Sequence, residues 1–254
     1  MSQNLIAQEN TPKKKTVLVI GIHIDDCEFG VGGTIKLLAD HGLDITLLNI
    51  KPYMHYLGRN PQVDAQSMHA AEILNAKKII LDYDATKYYR NNEDTIRKVE
   101  QILYDVKPDI IFMMDPKDNH IEHVECALTT REAIFAAAVE GVCPNEIYTY
   151  ECGPRQSMCY FIPDVYVNVS SVEQTLKECM VSFAAKRADG EHLWREKEVE
   201  IRLRGHEKGL GLAEGFKIVK YPDDNNDFLL REILHEEFRW GGNKMYWGRG
   251  DMFL

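Results

Sequence analysis

Nowhere in the 254 residues is there an apolar run near the roughly 20 residues that a membrane span requires. The chain is also short of positive charge. Thirty Lys plus Arg stand against forty Asp plus Glu, a net charge of −10, which disfavours a fold-wide grip on nucleic acid or an anionic membrane. Paired cysteines are missing too. Cys27, Cys126, Cys143, Cys152, Cys159 and Cys179 are scattered with no C-x-x-C pair, as expected of reduced thiols in a cytoplasmic protein rather than a disulfide framework. The opening MSQNLIAQENTPKKK places its basic cluster after the weakly apolar stretch, the reverse of a signal peptide. No internal repeat or low-complexity tract interrupts the chain.

The hydrophobic content of 44% is too high for disorder. Residues 1–15, polar with Pro12 and three lysines, read as a flexible N-terminal arm, and 16–254 as a single α/β domain with an aromatic C-terminal tail. TVLVIGIHI (16–24) begins as a β-branched run, the pattern of a strand buried on both faces. TIKLLADHG reads as a helix closed by Gly42, and DITLLNI (44–50) as a second buried strand. Val63, Ser67, Ala70, Ala71 and Leu74 predict a helix over 63–75, and KKIILDY a third strand. Ile96, Val99, Leu103 and Val106 share a helical face within 92–106. DIIFMM (109–114) is a fourth strand, and 120–139 a long Ala-rich helix. Such alternation predicts a Rossmann-like three-layer fold with a mostly parallel sheet and C-terminal additions. The additions are strands in EIYTYEC, DVYVNVS and GLGLAEGFKIVK, with helices over 171–187 and 191–204.

In doubly wound sheets, sites form at the carboxyl ends of strands where strand order reverses. Two polar clusters fall at such ends: His23-Ile24-Asp25-Asp26 after the first strand, and Asp115 to His123 after the fourth. With strand order 3-2-1-4-5 these strands are neighbours, so the clusters meet in space. Histidines and carboxylates converging in one cleft suit a divalent transition metal, Zn²⁺ first, although Fe²⁺, Co²⁺ or Mn²⁺ also accept such donors. The structural alternative is plain. Asp25 and Asp26 could cap the following helix, Asn119-x-x-Glu122 fits a capping box, and Asp118 could be a turn former.

GIHIDDCEFGVGGTI resembles the A-H-P-D-D-E-x-x-x-G-G-T signature of the PIG-L/LmbE-like zinc deacetylases, and PKDNHIEH their P-x-D-x-H-x-D-H motif. Weaker echoes follow in FIPDVYVNVS and in R-x-R-G with AEGF, so that the resemblance spans about 17–220. It implies His23, Asp26 and His123 as zinc ligands and Asp25 as general base. His120 would steady the oxyanion and protonate the leaving amine, while Asp118 and Glu122 would support the site or touch substrate. It further implies a metal-dependent N-deacetylase, acting on an N-acetylated amino sugar or sugar conjugate, and a homo-oligomer. A sugar-binding protein of the same fold without turnover is the alternative.

Departures from the pattern bear on specificity. Ile24 replaces the signature proline, Cys27 the glutamate after the aspartate pair, and Glu122 the aspartate of H-x-D-H. Val63 and Gln66 stand where R-x-x-E is frequent, and that arginine usually helps hold substrate. Gly30-x-Gly32-Gly33 lacks the G-x-G-x-x-G spacing of a dinucleotide loop. Tyr53, Tyr56, Tyr83, Tyr88 and Tyr89 follow strands two and three and could wall a sugar site or merely pack their loops. The tail FRWGGNKMYWGRGDMFL is expected to act as a lid or to bury itself in a neighbouring subunit.

Overall fold

The computed structural model describes residues 14–51, 60–84, 87–153, 161–183, 191–223 and 227–242. Five strands form a parallel half-sheet: β1 (Thr16–Gly21), β2 (Asp44–Asn49), β3 (Lys77–Ile80), β4 (Ile110–Met114) and β5 (Glu146–Tyr150). They are joined by α1 (Asp26–Asp40), α2 (Pro61–Ile73), α3 (Glu93–Val106) and α4 (Ile121–Val139). Beyond them come β6 (Val165–Asn168), a 3₁₀ turn at Ser170–Val172, α5 (Glu173–Val181), α6 (His192–Lys208), β7 (Ala213–Lys220), α7 (Leu229–Ile233) and β8 (Phe238–Trp240). Strand order is β3-β2-β1-β4-β5-β7-β6-β8. The expected 3-2-1-4-5 core is therefore present, with β1 pairing in parallel with both β2 and β4.

The C-terminal strands depart from simple sequence order. β7 returns between β5 and β6 and is antiparallel to both. Two elements lie in stretches that carried no assignment as helix or strand. α7 is only five residues long, and Phe238-Arg239-Trp240 forms edge strand β8 against β6. That part of the aromatic tail is sheet edge, with Trp240 exposed and its ring edge-on to Phe238 and Phe228. Residues 243–254 of the tail, and the arm up to residue 13, lie outside the described residues. The first strand is shorter than its apolar run: extended pairing stops at Gly21, because the chain turns at 22–25 to start α1.

β1 and β4 are buried along nearly their whole length, as strands covered by helices on both faces must be. Buried ion pairs fasten the C-terminal half to this core. Glu214 of β7 accepts from the Gly33 N–H (2.9 Å), the Thr34 N–H (2.8 Å) and the Thr34 hydroxyl (2.7 Å), and pairs with Lys197 of α6 at 3.0 Å. Arg204 of α6 clasps both carboxylate oxygens of Glu151, at 2.5 and 2.7 Å. The late R-x-R-G and AEGF segments thus act as fasteners between layers. Removing one partner would leave a buried charge unpaired, at a cost of about 3–5 kcal/mol.

The glycines of α1 permit close approach and need no nucleotide to explain them. A methyl group at Gly30 would overlap the Tyr150 ring, and one at Gly33 would lie 2.5 Å from Val169. We expect Gly30→Ala to lower unfolding stability by about 1–3 kcal/mol, as overpacking does, with a matching fall in the urea midpoint. An unchanged midpoint would mean that α1 and β5 are not packed as described.

Candidate metal centre

The turn between β1 and α1 is held from several sides. The Asp26 carboxylate folds back, its Oδ2 accepting the backbone N–H groups of Ile22 (3.0 Å) and His23 (2.6 Å). The His23 carbonyl receives the Asn49 side-chain amide. The Ile24 carbonyl receives both the Ser67 hydroxyl (2.8 Å) and the Lys78 ammonium (2.8 Å). Three neighbouring elements thereby fix the backbone that presents His23, Asp25 and Asp26. Asp25 occupies the N-cap position of α1 without a side-chain capping bond, so that alternative does not account for its carboxylate.

The second cluster arrives on the β4–α4 connection, and adjacency of β1 and β4 brings it alongside the first. Ring centroids of His23 lie 5.3 Å from those of His123 and 5.0 Å from those of His120, and the two α4 histidines stack at 4.5 Å. His23, Asp25, Asp26, Asp118, Glu122 and His123 are all buried, and His120 is partly exposed. The alternative reading of Asn119 and Glu122 as a capping box does not hold. His120 is the N-cap of α4, its Nδ1 accepting the Glu122 N–H at 3.3 Å, and the Glu122 side chain points elsewhere.

Each candidate ligand histidine has one nitrogen committed to a carboxylate. His123 Nδ1 donates to Asp118 Oδ2 at 3.0 Å, leaving Nε2 facing Asp26 Oδ1 at 3.7 Å. His23 Nε2 donates to Glu122 Oε2 at 2.8 Å, leaving Nδ1 facing Asp26 Oδ2 at 3.5 Å. Carboxylates at the far nitrogen fix the tautomer and increase the basicity of the free one. Ligands of a tetrahedral zinc with bonds of roughly 2.1 Å sit about 3.4 Å apart, close to these spacings. The ligand atoms of His23, Asp26 and His123 all fall within 4.8 Å of one another. His23, His120 and Glu122 form a second, overlapping trio under the same limit. Buried acids outnumber buried bases around the rings, which also favours a cation: Asp25, Asp26, Asp118 and Glu122 against the ammonium of Lys51.

Two of these groups are shifted in their titration. Burial opposes ionisation of Glu122, but donors from His23, the Tyr89 N–H and Lys51 outweigh it and hold the carboxyl at about 2. Burial, followed by the neighbouring His123 and His23 rings, pushes His120 down to about 4. His120 is accordingly neutral near pH 7, and since Nδ1 accepts from a backbone N–H, Nε2 carries its proton.

Several contacts at the site are not anticipated by the sequence, which offers Tyr89 only as a wall for a sugar or as loop packing. Lys51 is fully buried beyond the end of β2 with Nζ 2.9 Å from Glu122 Oε1, and the Tyr89 N–H reaches the same oxygen at 2.6 Å. Cys152, just past β5, places its thiol 3.5 Å from Asp26 Oδ1, and burial raises its pKa well above the usual thiol range. A lysine interrupting the apolar end of a strand was the available signal for Lys51. For Tyr89 and Cys152 there was none. Cys27 lies against the carbonyls of Val19 and Leu48, and the buried Glu28 next to it pairs with Lys78 at 2.6 Å. Val63 is packed in the core. Tyr89 is fully buried, with its hydroxyl 2.6 Å from Thr129, so it packs its loop and does not wall a cleft, whereas Tyr88 is exposed. Tyr53 and Tyr56 lie outside the described residues.

A mostly parallel sheet with two histidines and a carboxylate gathered at its switch point defines the class, a scaffold whose clustered donors could hold a metal ion. Residues 18–134 match the family described as PIG-L, GlcNAc-PI de-N-acetylase. The chain is 28% identical over 240 residues to diacetylchitobiose deacetylase of Thermococcus kodakarensis, covering 81% of this chain and 83% of that protein. It is equally 28% identical over 211 residues to 4-oxalmesaconate hydratase of Pseudomonas putida, covering 73% and 77%. The fold is shared with N,N'-diacetylchitobiose deacetylase of Pyrococcus horikoshii, at TM-score 0.64 and 21% identity over 85% of this chain and 87% of that one. Over residues 18–134 the chain is thus similar to the PIG-L family. Among its described residues no helix is long and apolar enough to cross a membrane.

If Asp118 orients His123, Asp118→Asn should weaken zinc affinity by about 10–100-fold while leaving thermal unfolding of the metal-free protein nearly unchanged. Titration against a competing chelator measures this, and undiminished affinity would remove Asp118 from the site.

Proposed function

We propose that this protein is a metal-dependent N-deacetylase that removes acetyl from an N-acetylated amino sugar or sugar conjugate. The observation that carries the reading is the convergence of His23 Nδ1 and His123 Nε2 on the Asp26 carboxylate, with Asp25 next to it in sequence. A deacetylase among the relatives supports the same chemistry. His23, Asp26 and His123 would hold the metal, zinc by the donor set, though Fe²⁺, Co²⁺ or Mn²⁺ would fit it as well. Such an ion supplies a water acidified towards neutral pH and an electrophilic contact for the amide carbonyl.

The remaining steps belong to the chain. Asp25 takes a proton as the water oxygen bonds to the carbonyl carbon. His120, neutral with a proton on Nε2, donates a hydrogen bond to the oxygen that gathers negative charge. The carbon–nitrogen bond then breaks, and the proton first taken by Asp25 is the one available to the departing amine, yielding acetate and a free amino sugar. His120⁺ is not needed for charge balance, which matters because burial disfavours it. The other supporting contacts come from Asp118 and Glu122 on the ligand histidines.

A second reading is hydration of a carbon–carbon double bond, favoured by a hydratase at the same identity as the deacetylase. It needs the same activated water but no leaving amine, and Val63, buried where the family often carries arginine, leaves the sugar contacts open to it. Acetate release separates the two. Zinc-loaded wild type should deacetylate one of a panel of N-acetylated amino sugars, and Asp25→Asn should lower kcat by about 100-fold or more with its zinc content intact. Water addition to an unsaturated carboxylate without any acetate would establish the hydratase. Sugar binding with equal background in both proteins would establish a binding protein without turnover.

A further inference from the structure

His23 belongs to two donor trios that make opposite demands of it. With Asp26 and His123 it must offer Nδ1 and keep a proton on Nε2. With His120 and Glu122 it must give up that proton, because Nε2 is the nitrogen facing Glu122. What separates the two is the state of the Glu122 carboxylate. Its Oε2 accepts from His23 at 2.8 Å, and its Oε1 from Lys51 Nζ at 2.9 Å and the Tyr89 N–H at 2.6 Å. Lys51 and Glu122 are both wholly buried, and the Lys51 N–H bonds the Ile22 carbonyl at 2.9 Å, so the ammonium is anchored to the very turn that carries His23. A carboxylate already neutralised by a buried ammonium is a poor ligand for a second cation, and a full partner for an N–H.

We propose that Lys51 is a positioning residue that selects between the trios. By neutralising Glu122 it commits His23 Nε2 to a hydrogen bond and confines the protein to one divalent ion, at His23, Asp26 and His123. The extra methylene that distinguishes Glu122 from an aspartate at this position lets one side chain span His23, Lys51 and Tyr89. This inference rests on the metal centre of the proposed function, but not on the substrate assigned there.

Zinc stoichiometry and histidine tautomer test it without recourse to turnover. Metal-free wild type, Lys51→Met and the double variant Lys51→Met with Glu122→Gln would be titrated with zinc by calorimetry, with folding followed by thermal unfolding. Histidine ¹⁵N spectra would report the His23 nitrogens. Wild type should take one equivalent and retain the proton on His23 Nε2. Lys51→Met should take a second equivalent, lose that proton, and be inhibited as the second ion fills. The double variant leaves no buried charge unpaired, so it should fold. It should return to one equivalent, bound about 10–100-fold more weakly than in wild type because His23 has lost its carboxylate. One equivalent in Lys51→Met with wild-type affinity and tautomer would overturn the proposal, as would two equivalents in wild type or in the double variant. Wild type that binds one zinc and deacetylates while Lys51→Met behaves identically would leave the proposed function standing and remove this inference alone. Wild type that binds no zinc would remove both.

Discussion

Asp26 carries a negative charge into a turn with almost no access to water, and the surrounding chain is organised to hold it there. Two backbone N–H groups of the turn donate to one oxygen, a buried thiol lies near the other, and two imidazole nitrogens face the pair. A carboxylate so placed would be costly without compensation, since desolvation alone disfavours the ion by several kcal/mol. The N–H groups and the positive end of α1 supply part of that compensation. A divalent cation between Asp26 and the imidazoles would supply the rest, and this is the physical reason that metal binding and the shape of the turn belong together.

The same economy of charge recurs one layer out. Asp118 and Glu122 orient the two candidate ligand histidines in opposite tautomers, His123 presenting Nε2 and His23 presenting Nδ1. Glu28 with Lys78 and Glu214 with Lys197 do analogous work on α1, the first through the Ile24 carbonyl that Lys78 also reaches. The turn that follows β1 is thus pinned by β2, α2 and β3, and α1 by β7 and α6. Of the departures, Val63 packs in the core, and the Cys27 thiol turns to the Val19 and Leu48 carbonyls although its backbone follows Asp26 directly.

Family and reaction are separable. Relatives at equal identity include a deacetylase and a hydratase, two chemistries that share an activated water and differ in what it attacks. On the proposed reading the histidines, Asp25 and Asp26 would serve either. What tells them apart is the proton inventory at the leaving side and the groups lining the cleft, and a neutral His120 makes Asp25 the carrier on which amide cleavage would depend.

Much of this was legible in the residues alone. Period and β-branching located the five parallel strands and their crossover helices, because strands buried on both faces must be apolar throughout. The reversal of order between β1 and β4 then predicted that residues 23–26 and 115–123 would meet, as they do. Strand lengths at the site were overrun because Ile22 and Ile24 are apolar yet belong to a turn held by side chains. The insertion of β7 between β5 and β6 was not legible, since pairing between distant segments leaves no local period. Nor were Tyr89 and Cys152, an N–H donor and a thiol whose roles exist only through where other elements place them. Sequence by itself determined the five parallel strands, their crossover helices and the residues that could serve as donors. Tertiary structure alone decided which nitrogen each histidine offers, because that choice depends on Asp118, Glu122 and Lys51 reaching the rings in three dimensions.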